Sequence, residues 1–106
     1  MADGYLIAPG AVPAEITKRQ FFQQLAVAGI VTPEDALAAV KVGSIPAPLQ
    51  AFIDAMGDAD ARFAAEMVIS GGLTFLRSHP LTIAIGSAQG MTSAQIDDFF
   101  RAAAAL

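Results

Sequence analysis

Apolar residues recur along most of this chain at spacings of three and four, the period of a helix with one face turned to a core. The clearest case is Leu49, Phe52, Ile53 and Met56, which fall at i, i+3, i+4 and i+7. Ile96, Phe99, Phe100, Ala103 and Leu106 repeat the period near the end of the chain. A longer run in phase comprises Ala64, Met67, Val68, Gly71, Gly72, Phe75 and Leu76. As one stripe it predicts a continuous helix over 59–78, whose opposite face carries Arg62, Glu66, Ile69, Leu73 and Arg77. Ile69 and Leu73 make this helix apolar almost all round its middle. It is expected either at the centre of a bundle or with a second apolar strip turned to a partner. Gly71 and Gly72 lie on the predicted buried stripe, where each glycine costs roughly 1 kcal/mol against alanine. Close approach of a neighbouring helix is the expected compensation. The rival reading breaks the helix at this pair.

Polar residues mark where the helices begin. In "ITKRQFF" and "MTSAQID" a threonine is followed three places on by glutamine and flanked by apolar residues. This is a capping box with a hydrophobic staple: Thr17 with Gln20 inside Ile16 and Phe21, and Thr92 with Gln95 inside Met91 and Ile96. Thr32 is followed by Pro33 and then by Glu34 and Asp35, a proline at the first helical position and anions at the positive end of the helix dipole. Gly29, Gly43 and Gly90 each follow an apolar stretch, where a left-handed residue ends a helix. The predicted helices therefore run over 18–28, 33–42, from Pro46 or Pro48 to just before Gly57, 59–78, from Pro80, and from Ser93 to the end. The fifth should bury Leu81, Ala84, Ile85 and Ala88. Its "LTIAI" stretch has strand-like branching, but no second strand presents itself as a partner.

Residues 1–15 break the pattern. Pro9, Gly10 and Pro13 forbid a regular helix, yet Tyr5, Leu6, Ile7 and Val12 are apolar. This predicts an extended arm that docks on its own domain or on a neighbour. The expected fold class is all-α: a compact bundle of five to six short helices over 16–106, a single domain, preceded by the arm.

Composition shifts the picture towards assembly. Of 106 residues, 55% are hydrophobic and 15% charged, which leaves apolar area facing water or a partner. A protein partner or a second copy is expected. The docking residues predicted from the pattern are Tyr5, Leu6, Ile7 and Val12 on the arm, with Ile69 and Leu73 on the fourth helix. The net charge of −4 and six scattered basic residues argue against nucleic acid, which requires clustered Lys and Arg. A helix-turn-helix reading of 21–40 remains as an alternative, but its reading helix would open with Pro33, Glu34 and Asp35, placing negative charge against phosphates. A helical carrier of an apolar ligand is the other alternative. The N-terminus lacks a basic region and a long apolar core, so no secretory signal is expected. No segment is long enough to cross a bilayer. The chain reads as soluble, cytoplasmic or carried in a virion.

The residues give no reaction. There is no cysteine, which removes disulfides and thiolate metal sites. His79 is the one histidine, and preceding Pro80 it reads as a helix cap. Asp54, Asp58 and Asp60 resemble a calcium loop only until Arg62 falls fifth and Ile69 twelfth, where a bidentate glutamate is required. Glu34-Asp35 and Asp97-Asp98 are neighbours on their helices and diverge, so neither is a carboxylate dyad. The GxxxG spacing of Gly86 and Gly90 suggests close packing. No catalytic residue, metal or cofactor is predicted, and the chain is not expected to be an enzyme.

In its Thr17 start, its Gly29–Thr32 turn, Pro46, His79-Pro80 and its Thr92 start, the chain over 16–106 resembles small, uncharacterised helical proteins of tailed bacteriophages and prophages, encoded among virion and tail genes. The resemblance implies a virion or assembly role and carries no active site to transfer.

Overall fold

The structure, a computed structural model, describes residues 10–106. Its helices are α1 (Lys18–Val27), α2 (Pro33–Val42), α3 (Ala47–Asp54), α4 (Ala59–Gly71), α5 (Pro80–Ala88) and α6 (Ser93–Ala104). Two short strands, β1 (Glu15–Thr17) and β2 (Thr74–Leu76), join them. The fold class is all-α, as the pattern predicts, with a small antiparallel ribbon added.

The caps form as read. The Thr17 hydroxyl accepts from the Gln20 N–H at 3.1 Å while Gln20 Oε1 accepts from the Thr17 N–H at 2.9 Å. Thr92 and Gln95 repeat this exchange at 3.2 and 2.8 Å. Thr32 caps α2, and Asp58 caps α4 through the Ala61 N–H at 2.8 Å. Gly29, Gly43 and Gly90 all hold positive φ, 76°, 75° and 78°.

Gly71-Gly72 is where expectation and structure part. α4 stops at Gly71, and Gly72 turns extended, φ −69° and ψ 140°. No neighbouring helix approaches either glycine. A Cβ on Gly71 would meet nothing within 4 Å, whereas one on Gly72 would lie 2.6 Å from the Val68 carbonyl oxygen of its own helix. The glycine pair is a break, and the continuous helix over 59–78 is incorrect. Two glycines make helix cheap to leave, and the uncharged, strand-prone "LTFL" gains more by pairing. Its partner is the short run just before α1: Ile16 opposes Phe75, the Lys18 N–H donates to the Leu73 carbonyl at 3.0 Å, and the Arg77 N–H donates to the Ala14 carbonyl at 2.9 Å.

Lys18 also fixes the end of α4, donating from Nζ to the Ser70 carbonyl at 2.5 Å. The Ser70 hydroxyl in turn donates to the Gly43 carbonyl at 2.7 Å. One lysine and one serine thus tie the start of α1, the end of α2 and the end of α4 together. The ammonium lies at the negative end of the α4 dipole.

The core lies between α1, α3, α6 and the ribbon. Phe22, Phe100, Ile16, Leu49, Ile53 and Ile69 are its largest fully enclosed side chains. Gly86 lets α5 approach α6 so closely that a Cβ there would stand 2.5 Å from Ile96 Cδ1. Close packing is therefore right for Gly86. Gly90 takes no part, because it serves as a left-handed helix end with nothing near it. On α5 the buried residues are Thr82, Ile85 and Gly86, while Ala84 and Ala88 face out, which corrects half of the predicted face.

Candidate functional site

The structure places the predicted docking residues in different surroundings. Tyr5, Leu6 and Ile7 lie outside the described residues. Val12 is half-buried against its own domain's core, and the chain just before it is pinned where Arg101 Nε donates to the Gly10 carbonyl at 2.7 Å. Ile69 is completely enclosed and is withdrawn as a docking residue. The face of α4 expected to show a second apolar strip, the one carrying Arg62, Glu66 and Ile69, packs inwards instead through Ile69, with Ala65 beside it. Its polar members are held as well: Arg62 donates to the Met56 carbonyl at 2.6 Å and Gln50 reaches Glu66 at 3.4 Å. Of the predicted docking residues that the structure describes, Leu73, just before β2, is the one strongly exposed, at 82%.

Inverting α4 brings Phe63 and Met67 outwards, 64% and 58% exposed. They stand one turn apart on one face. The stripe Ala64, Met67, Val68 was drawn from a period that both faces of this helix satisfy, so spacing could not choose between them. Packing of Ala65 and Ile69 into the core, with Arg62 and Glu66 held beside them, goes with the other face.

α2 shows the same inversion more plainly. It buries two alanines, Ala36 and Ala39, and exposes its bulky residues Leu37 at 57%, Val40 at 39% and Val42 at 76%. The Thr32 cap and the left-handed Gly43 set where this helix begins and ends. Its alanine face lies against α1, where small side chains permit close approach. Leu37 borders two apolar surfaces. One is a groove of about 310 Å³ between α1 and α2, lined by Arg19, Gln23, Ala26, Ala36 and Val40. The other is an open strip along the outer side of α2, formed by Glu34, Leu37, Ala38, Lys41 and Val42. Glu34 and Lys41 form no ion pair or hydrogen bond among the described residues beyond backbone helix bonds.

Leu37, Val40, Val42, Phe63 and Met67 were all missed as surface residues by sequence reasoning. A usable signal was present in α2: alanine at 36 and 39 beside leucine and valine at 37, 40 and 42 marks a thin face for packing and a thick one left over.

His79 is a cap, its Nδ1 accepting from the Leu81 N–H at 3.0 Å. Among the described residues no three His, Asp or Glu side chains converge as metal ligands would. The void inside the bundle, beside Phe21, Ile85, Ile96 and Phe100, is about 20 Å³, far below the several hundred Å³ of a ligand pocket. No single helix among the described residues is long and apolar enough to cross a membrane. No protein family, curated protein or solved structure matches the chain.

Proposed function

We propose that this chain is a non-enzymatic interaction protein, a component of a larger assembly that docks through the outer faces of α2 and α4. The observation that carries the reading is the inverted α2. Burying a leucine or valine side chain is worth about 1.5–3 kcal/mol, yet this helix turns alanines to its own core and its larger side chains to solvent. A partner that covers Leu37, Val40 and Val42 recovers that free energy. The arm residues Tyr5, Leu6 and Ile7 add a further apolar segment to the same purpose. The resemblance to virion and tail-gene proteins supports an assembly role of that kind, and the acidic start of α2 at Glu34 and Asp35 disfavours a nucleic-acid partner.

The test places a photo-crosslinking residue at Leu37 or Phe63 in the full chain, in the cells that make it. Discrete adducts at these two positions, absent from an exposed polar control such as Ser87, are expected. Equal labelling at all three positions would reject docking through these faces.

A further inference from the structure

The outer side of α2 carries the elements of a seam with itself. Glu34, Leu37, Ala38, Lys41 and Val42 follow i, i+3, i+4, i+7 and i+8, a single stripe that forms one open strip of the outer helix surface. The ends of the stripe carry opposite charge. Glu34 lies in the first turn and Lys41 in the last, two turns or about 10.5 Å apart along the axis. When two such helices lie antiparallel across a two-fold axis midway between Leu37 and Ala38, residues whose numbers sum to 75 stand level. Glu34 then faces Lys41 of the other copy, and Lys41 faces its Glu34, so two ion pairs close the ends. Leu37 meets the small Ala38, the large-against-small match that lets helices mesh. Pro33 meets Val42. The two helix dipoles run opposite, which favours the arrangement. A parallel arrangement would bring like charges together.

We infer that α2 is a homodimer seam, occupied by α2 of a second copy in antiparallel register. The inference rests on the docking reading above and names the partner for one of its faces. A two-fold interface uses the same patch twice, and this patch is self-complementary in both charge and shape. One ten-residue helix per copy buries less than the roughly 1,200–2,000 Å² of a standard interface, so the dimer is a weak one that forms as concentration rises.

Sedimentation velocity of the purified full chain over a hundredfold range of concentration tests it. The wild type is expected to pass from monomer to dimer. Glu34→Lys and Lys41→Glu should each weaken dimerisation about tenfold or more, and the double reversal should restore it to within a few-fold, because the pairs re-form with their signs exchanged. Leu37→Asp, at an exposed position that leaves the fold intact by circular dichroism, should abolish it. Because the chain has no cysteine, Ala38→Cys should oxidise to a covalent dimer, while Ala64→Cys on the outer side of α4 should not. A chain that stays monomeric throughout, or a double reversal no better than either single, overturns the inference. A monomer that still gives specific adducts at Leu37 in cells overturns the self-seam and leaves the docking reading standing.

Discussion

The rings of Phe21 and Phe75 stack with centroids 4.2 Å apart and planes 14° from parallel. One stands on α1 and the other on β2, so this contact joins the ribbon to the helical core. Phe22 and Phe99 meet Phe21 edge-on, at 5.2 and 6.0 Å, which completes an aromatic cluster with mixed geometry of the favourable kind. Phe75→Ala should cost about 3–5 kcal/mol, the range for a buried phenylalanine. Phe63→Ala, on the outer face of α4, should change stability by less than about 0.5 kcal/mol. Urea unfolding of both variants checks the contrast.

The phase of α4 can be tested separately. Ile69→Ala should cost about 2–5 kcal/mol, since its side chain is wholly enclosed. Met67→Ala should be close to neutral. The reverse ranking, measured by chemical denaturation, would restore the face drawn from periodicity.

The two glycines of the helix break should respond in opposite senses. Gly71 is helical with open space around it, so Gly71→Ala should stabilise by roughly 0.5–1 kcal/mol. Gly72→Ala forces a methyl against the Val68 carbonyl oxygen at 2.6 Å and should destabilise. Thermal melts of the two variants should move in opposite directions.

Gly86 and Ile96 should be coupled. Gly86→Ala overpacks the α5–α6 contact and should cost about 1–3 kcal/mol. Ile96→Val removes the Cδ1 that the new methyl strikes at 2.5 Å but keeps the Cγ1 at 2.7 Å, so it relieves the clash in part. The double variant should therefore lose less than the sum of the two single losses. A double-mutant cycle that adds without coupling would mean that the helices part instead of meshing.

Arg77 follows β2 directly and holds the start of α6. Its Nε donates to Asp97 at 2.7 Å, and its Nη2 donates to the Ser93 carbonyl and hydroxyl at 3.2 and 3.1 Å. Arg77→Lys cannot reproduce this fork and should lower stability by about 1 kcal/mol, more than Asp98→Asn, which breaks only the exposed Arg101–Asp98 pair. Equal losses at both sites, measured in the same buffer, would show that the fork adds nothing to the charge.

Elements decided within a few residues of themselves were legible in the chain. The Thr17 and Thr92 capping boxes, the Thr32-Pro33 start, and the left-handed Gly29, Gly43 and Gly90 each depend on a hydroxyl, an amide or a φ angle inside one turn of helix. α2 fell where those signals put it, and α1, α3, α5 and α6 did so nearly to the residue. The stripe Leu49, Phe52, Ile53 and Met56 was also sound, because only one face of α3 is apolar.

Where both faces of a helix are apolar, local chemistry leaves the choice open. α2 and α4 are such helices, and which side went inwards was settled by contacts outside the helix itself. Lys18 bonding the Ser70 carbonyl, Ser70 bonding the Gly43 carbonyl and Arg62 bonding the Met56 carbonyl orient α4, and alanine contacts with α1 orient α2. The break at Gly71-Gly72 has the same origin. The glycines made leaving the helix cheap, but only a strand nearly sixty residues earlier made leaving it favourable. The outward faces of α2 and α4 are thus a product of tertiary packing, since periodicity counts apolar positions and packing selects which of them the core can hold.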